Sequence, residues 1–136
     1  MIKHIWTVLC QSASFDAQTN RVSLFNAMES IAFTKQPTKE NPVVISCEIV
    51  SLWTREPDTP VIGEVQIFLN TPEIKFEQPI SLTIDLTQSV FHRTRLSINS
   101  LAFTSIGRYE FEIQYREKGN ADWLPATKLP IEVSGE

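Results

Sequence analysis

Along most of this chain hydrophobic and polar residues alternate one by one. That period marks strands with one buried face, because successive side chains point to opposite sides of a sheet. The cleanest run sets Tyr109, Phe111, Ile113 and Tyr115 against Arg108, Glu110, Glu112, Gln114 and Arg116. Ile80, Leu82, Ile84 and Leu86 alternate with Ser81, Thr83 and Asp85, and Val65, Ile67 and Leu69 with Glu64, Gln66 and, imperfectly, Phe68. Ile45, Cys47 and Ile49 repeat the pattern, as do Leu129, Ile131 and Val133 near the end. Leu96 and Ile98 are one residue out of phase with Leu101 and Phe103. A bulge near Asn99-Ser100 returns both pairs to one core.

The eight prolines punctuate these runs. Pro37 and Pro42, Pro57 and Pro60, and Pro72 and Pro79 bracket or border polar loops, while Pro125 and Pro130 flank the last segment. Proline has no N–H to give a sheet ladder, so this spacing predicts strand boundaries. Asp16-Ala17-Gln18-Thr19-Asn20 predicts a turn between the first two runs, and Glu117-Lys118-Gly119-Asn120 closes a hairpin from Tyr115 towards Trp123. Gly107 suits a turn that needs positive φ, with Tyr109 starting a core-facing strand and bonding the backbone through its hydroxyl.

Residues 23–33 are ambiguous. Leu24, Met28, Ile31 and Ala32 fit a helical face, whereas Val22 and Leu24, then Ile31 and Phe33, fit two strand pieces joined by a bend. The flanking β-formers favour the strands, with a short helix as the alternative. Seven to nine short strands with frequent turns leave no room for crossover helices. The expected fold is all-β: one domain over residues 1–136, a two-sheet antiparallel β-sandwich, immunoglobulin-like or similar.

Hydrophobic residues make up 42% of the chain and charged residues 21%, a balance that excludes disorder, collagen-like repeats and coiled coil. A net charge of −4 argues against a nucleic-acid partner. The apolar stretch at the N-terminus is too short for a signal-peptide core, and Leu9 occupies the place before Cys10 where a lipoprotein signal needs a small residue. No run approaches the ~20 apolar residues of a membrane span. The expected location is the cytoplasm, with no membrane association.

Motifs for chemistry are missing. The four aspartates, Asp16, Asp58, Asp85 and Asp122, are scattered, whereas a calcium loop wants several oxygen ligands from one or two loops. His4 and His92 have no second metal ligand at a useful spacing, zinc spacings are absent, and the four glycines form no phosphate loop. No elbow motif frames a serine, and Cys10 and Cys47 sit in apolar runs as free buried thiols do. No catalytic residue, metal or cofactor is expected.

Val8-Leu9-Cys10-Gln11-Ser12-Ala13-Ser14-Phe15-Asp16 with Asn20-Arg21-Val22-Ser23-Leu24-Phe25-Asn26, then Leu101-Ala102-Phe103, Gly107-Arg108-Tyr109-Glu110-Phe111-Glu112-Ile113 and Leu129-Pro130-Ile131-Glu132-Val133, resemble an uncharacterised bacterial family of small β-sandwich proteins, a domain of unknown function. The resemblance spans most of the chain. It implies a bacterial cytosolic protein and the sandwich fold, and it carries over no catalytic residue.

Three functional readings follow. The first is a non-enzymatic protein-binding or assembly module, with a protein partner or a homo-oligomer. Trp6, Val8 and Cys10 lie on one face of the first strand and Ile5 and Leu9 on the other, as in a strand covered on both sides or set at an interface. Trp6, Trp53 and Trp123 are the candidate interface residues, since Trp is enriched at binding hot spots; the competing use of Trp53 and Trp123 is to plug the ends of the core. The second reading is a binder of small anions through Arg93 and Arg95, which share a strand face, against the plain use of a solvated outer face. A hydrolase is the remote third.

Overall fold

The structure is a computed structural model that describes residues 1–74 and 78–136. Among the described residues the chain forms β1 (Lys3–Phe15), β2 (Val22–Ala27), β3 (Ser30–Phe33), β4 (Val43–Thr54), β5 (Val61–Asn70), β6 (Ile80–Leu86), β7 (Phe91–Phe103), β8 (Gly107–Glu117) and β9 (Leu124–Gly135), with no helix. Two sheets pack face to face, one ordered β2-β1-β4-β7 and the other β3-β9-β8-β5-β6. The fold is the all-β two-sheet sandwich that the alternation predicts. All pairings are antiparallel except the parallel pair β3–β9.

The ambiguous segment resolves into two strands in different sheets. β2 ends at Ala27, Asn26 takes a positive φ of 55°, and the Met28 N–H donates to the Leu9 carbonyl at 2.9 Å. The bend is where the chain crosses from one sheet to the other.

The phase slip in β7 is a bulge. Ile45 pairs with Leu101 and Cys47 with Ile98, so Asn99 and Ser100 together oppose Ser46, whose hydroxyl donates to the Asn99 carbonyl at 2.8 Å. Leu101 and Phe103 are buried, and Leu96 and Ile98 pack against the same core. The β6 pattern is less complete: Ile84 and Leu86 are buried, but Ile80, the first residue of the strand, is exposed.

Two prolines depart from the expected punctuation. Pro125 and Pro130 lie inside β9. β9 pairs with β3 only from Glu132 onwards, so the stretch before it is an edge on that side, where a missing N–H is tolerated. Pro125 also adjoins a bulge, since Thr127 pairs with Ile113 but Pro125 with Gln114.

Tyr109 locks the β7–β8 corner. Its hydroxyl donates to the Ser105 carbonyl at 3.0 Å and accepts from the Ser105 N–H at 3.3 Å, beside Gly107 at φ 129°. Its ring meets Phe103 edge-on at 4.9 Å.

Candidate functional site

Cross-strand register sorts the four-stranded sheet into rows, because residues directly opposite one another share a face. Leu9–Ile49–Leu96, Thr7–Ser51–Thr94 and His4–Trp53–His92 face the core. Lys3–Thr54–Phe91, Trp6–Leu52–Arg93, Val8–Val50–Arg95 and Cys10–Glu48–Ser97 face away from it. A register shift between His4 and Trp6 makes Ile5 the extra residue of β1. This bulge turns His4 inward and Trp6 outward although both are even-numbered, and it leaves Ile5 46% exposed instead of sharing the inner face with Leu9.

The outward rows are partly roofed by their own chain. β1 stops pairing with β4 at Cys10 and continues with β2 as a hairpin. The Ala13 N–H donates to Glu48 Oε2 at 2.6 Å, and Arg95 Nη2 donates to the Ala13 carbonyl at 3.3 Å. The Phe15 ring lies 5.2 Å from Arg95 Cζ and 5.7 Å from Arg93 Cζ. At the tip, Asp16 Oδ1 accepts from the Gln18 and Thr19 N–H groups, and Asn20 takes a positive φ of 58°. Asn20 Oδ1 in turn accepts from Arg93 Nη1 at 3.3 Å. These contacts lay the hairpin over β4 and β7 and bury Cys10, Glu48 and Val50 on a face that would otherwise be open.

Under the roof Glu48 is a buried carboxylate with four donor groups from three residues. Arg95 Nη2 and Nε reach Oε1 at 2.6 and 3.0 Å, Ser97 Oγ donates to Oε1 at 2.9 Å, and Ala13 N–H takes Oε2. Burial alone would push this carboxyl up, but the hydrogen bonds from Arg95, Ser97 and Ala13 outweigh it and hold it below the usual range. Arg95 therefore spends Nε and Nη2 on Glu48 and the Ala13 carbonyl.

Arg93 is placed differently. A cleft of about 510 Å³ opens between the hairpin tip and the sheet, lined by Phe15, Asn20, Leu52, Phe91, His92 and Arg93. Among the described residues Arg93 Nε is buried and has no hydrogen-bond partner. Among the described residues Arg93 also forms no ion pair.

The three tryptophans do not form a common patch. Trp6 is half-buried on the outward face opposite Leu52. Trp53 is fully buried, its Nε1 donates to Thr94 Oγ1 at 2.9 Å, and its ring packs on His4 and Tyr115 at 5.1 and 5.2 Å. Trp53 is thus a core residue and not a contact anchor, because the inward row places it between the sheets. Trp123 precedes β9, with Arg116 Cζ stacked 4.1 Å above its ring.

The other sheet presents a polar outer face. Arg116 Nε pairs with Glu64 at 2.9 Å, Arg108 with Glu132 at 3.1 Å and Lys128 with Glu112 at 3.8 Å, and Gln66 Nε2 donates to Gln114 at 2.6 Å. Glu112 belongs to this solvated ladder. The reactive groups of the first sheet are drawn into packing. His4 Nε2 shares a 2.6 Å hydrogen bond with Thr7 Oγ1, which shares one of 2.7 Å with Ser51, and burial pulls the imidazole below its ordinary value. Both cysteines are free and buried. Burial raises the Cys10 thiol and pushes Cys47 up to about 11. Among the described residues no three His, Cys, Asp or Glu side chains gather as a metal site, and no helix is long and apolar enough to cross a membrane.

Compared with known proteins, the chain matches no family model and no curated protein. The bacterial-family resemblance therefore rests on the sequence motifs that carry it.

Sequence reading missed the Arg95–Glu48 pair and the hairpin roof. One signal for the pair is present: Glu48 is a carboxylate inside the apolar run Ile45–Val50, where only a paired charge is tolerated.

Proposed function

We infer that the protein is a non-enzymatic binding module for another protein, and that its contact face is the outward side of β1, β4 and β7 with the hairpin above it. One observation carries the reading: the two outer faces of the sandwich differ in kind. The β5–β8–β9 face is dominated by ion pairs, with Ile62, Phe68 and the Arg116–Trp123 stack among them. The β1–β4–β7 face carries Trp6, Val8, Leu52 and Phe91 beside Arg93, and Phe91 is 55% exposed. Aromatic and arginine side chains on an apolar ground are the composition of interface cores, whereas mixed ion pairs are that of solvated surface. The non-enzymatic part is supported by the burial of Ser51, Cys10 and Cys47, which keeps these nucleophiles from substrate.

Native mass spectrometry of the protein purified gently from its source cells tests this reading. A stoichiometric second protein is expected, lost in Phe91→Ser and Trp6→Ser and kept in Lys128→Ser on the opposite face. A bare monomer, or a complex that only Lys128→Ser disrupts, contradicts it. A homo-oligomer lost in the same two variants assigns the face to a second copy of the chain.

A further inference from the structure

We propose that the cleft beneath the hairpin tip is a binding site for a carboxylate carried on a compact apolar group, with Arg93 as its anchor. The assignment stands on the cleft itself and holds whether or not the surrounding face docks a protein.

The first observation is an orphaned donor. Buried polar atoms are paired in the great majority of cases, and an unpaired one costs the desolvation of its donor. Among the described residues Arg93 Nε is buried without a partner, while Nη1 is held by Asn20 at 3.3 Å, a long contact for a charge-assisted bond. The same chain shows what a satisfied arginine looks like. Arg95 is gripped by Glu48, and Arg55 donates from Nε to the Leu86 carbonyl and from Nη1 to the carbonyls of Glu56 and Pro57 at 2.9 and 2.7 Å.

The second observation is the shape and lining. At about 510 Å³ the cleft lies within the 300–1,000 Å³ usual for small-ligand sites. Phe15, Leu52 and Phe91 supply apolar walls, and Asn20, His92 and Arg93 are the polar lining residues. Leu52 stands directly opposite Arg93 on the neighbouring strand, so an apolar body resting on Leu52 lies beside the guanidinium.

The charge balance selects the anion. Arg93 lines the cleft with no carboxylate paired to it among the described residues, and its planar fork matches a carboxylate in charge and geometry. A doubly charged phosphate would bring a second charge into a cleft where, among the described lining residues, Arg93 is the one permanent cation. The carboxylate can belong to a free acid or to the end of a peptide chain, and the two sources share this chemistry.

Titrations followed by amide chemical shifts test the assignment, with phenylacetate, hexanoate, inorganic phosphate, 2-phenylethanol and a short peptide ending in free Phe as probes. Saturable binding is expected for phenylacetate or for the Phe-ending peptide, with shifts confined to Phe15, Asn20, Leu52 and Phe91–Arg93. Binding weakens at least tenfold in Arg93→Gln, and also in Phe91→Ser, which truncates an exposed wall and leaves the fold intact should Arg93→Gln not fold. Binding by the peptide alone, lost on amidation of its C-terminus, assigns the carboxylate to a chain end. No saturable binding by any carboxylate overturns the proposal. So does equal binding of 2-phenylethanol or phosphate, or affinity unchanged in both variants.

Discussion

Arg95 and Glu48 form the bond that holds the hairpin to the sheet. Two nitrogens of the guanidinium converge on one carboxylate oxygen while the other oxygen takes the Ala13 N–H, and Arg95 returns a contact to the Ala13 carbonyl. Removing one partner of a buried pair leaves an uncompensated charge and costs about 3–5 kcal/mol; an exposed pair is worth about 0–1. Glu48 is nearly covered and Arg95 is not, so Arg95→Met is expected to destabilise by about 2–3 kcal/mol in urea unfolding. The double variant Glu48→Met with Arg95→Met is expected to cost less than the sum of the two single changes.

The same carboxylate sets an acid limit. Its folded-state value is depressed from the ordinary 4.5, so its stabilisation is present above that value and is lost as pH falls through the lower folded-state value. In Glu48→Gln the acid slope of stability below about pH 4.5 is expected to flatten. An unchanged slope in denaturant midpoints across pH 5 to 3 counts against the pairing.

His4 acts in a higher window. Burial lowers its folded-state value below 6.5, so the unfolded chain takes the proton first. Stability is therefore full above about pH 6.5 and declines as pH falls through that value, until the folded-state imidazole also protonates. In His4→Gln the decline between pH 7 and pH 5.5 is expected to be smaller than in the parent.

How far the sequence foretold this arrangement depended on phase. The period of two placed Tyr109, Phe111 and Ile113 in the core, and the slip between Ile98 and Leu101 located the bulge at Asn99-Ser100. The bulge at Ile5 left no such trace, because Ile5 and Trp6, then Val8 and Leu9, put apolar residues on both faces and so carry no phase. Arg93 and Arg95 were legible as a pair on one face, but what separates them was not. Glu48 reaches Arg95 and Asn20 reaches Arg93 through strand register and a hairpin fold-back that no local spacing encodes.

Tyr109→Phe removes only the hydroxyl that ties the corner to Ser105. It is expected to cost about 1–2 kcal/mol, the range for a lost hydrogen bond that leaves backbone groups unpaired. A thermal midpoint unchanged within error contradicts a structural use of the corner tyrosine.

The thiols are expected to be inert in the native state. Burial raises both, Cys47 to about 11, so little thiolate exists at pH 8. Native protein should resist iodoacetamide over the time in which denatured protein takes two labels. Rapid native labelling of Cys10 indicates that the hairpin opens.

The central claim, that the outward face of β1, β4 and β7 is the working face, is tested most directly by site-specific photocrosslinking in the source cells. A crosslinking side chain at position 91 on this face is compared with one at position 112 on the ion-paired face. A discrete adduct of fixed stoichiometry from position 91 alone is the predicted result. An adduct from position 112 with none from position 91 places the contact on the opposite sheet and contradicts the account.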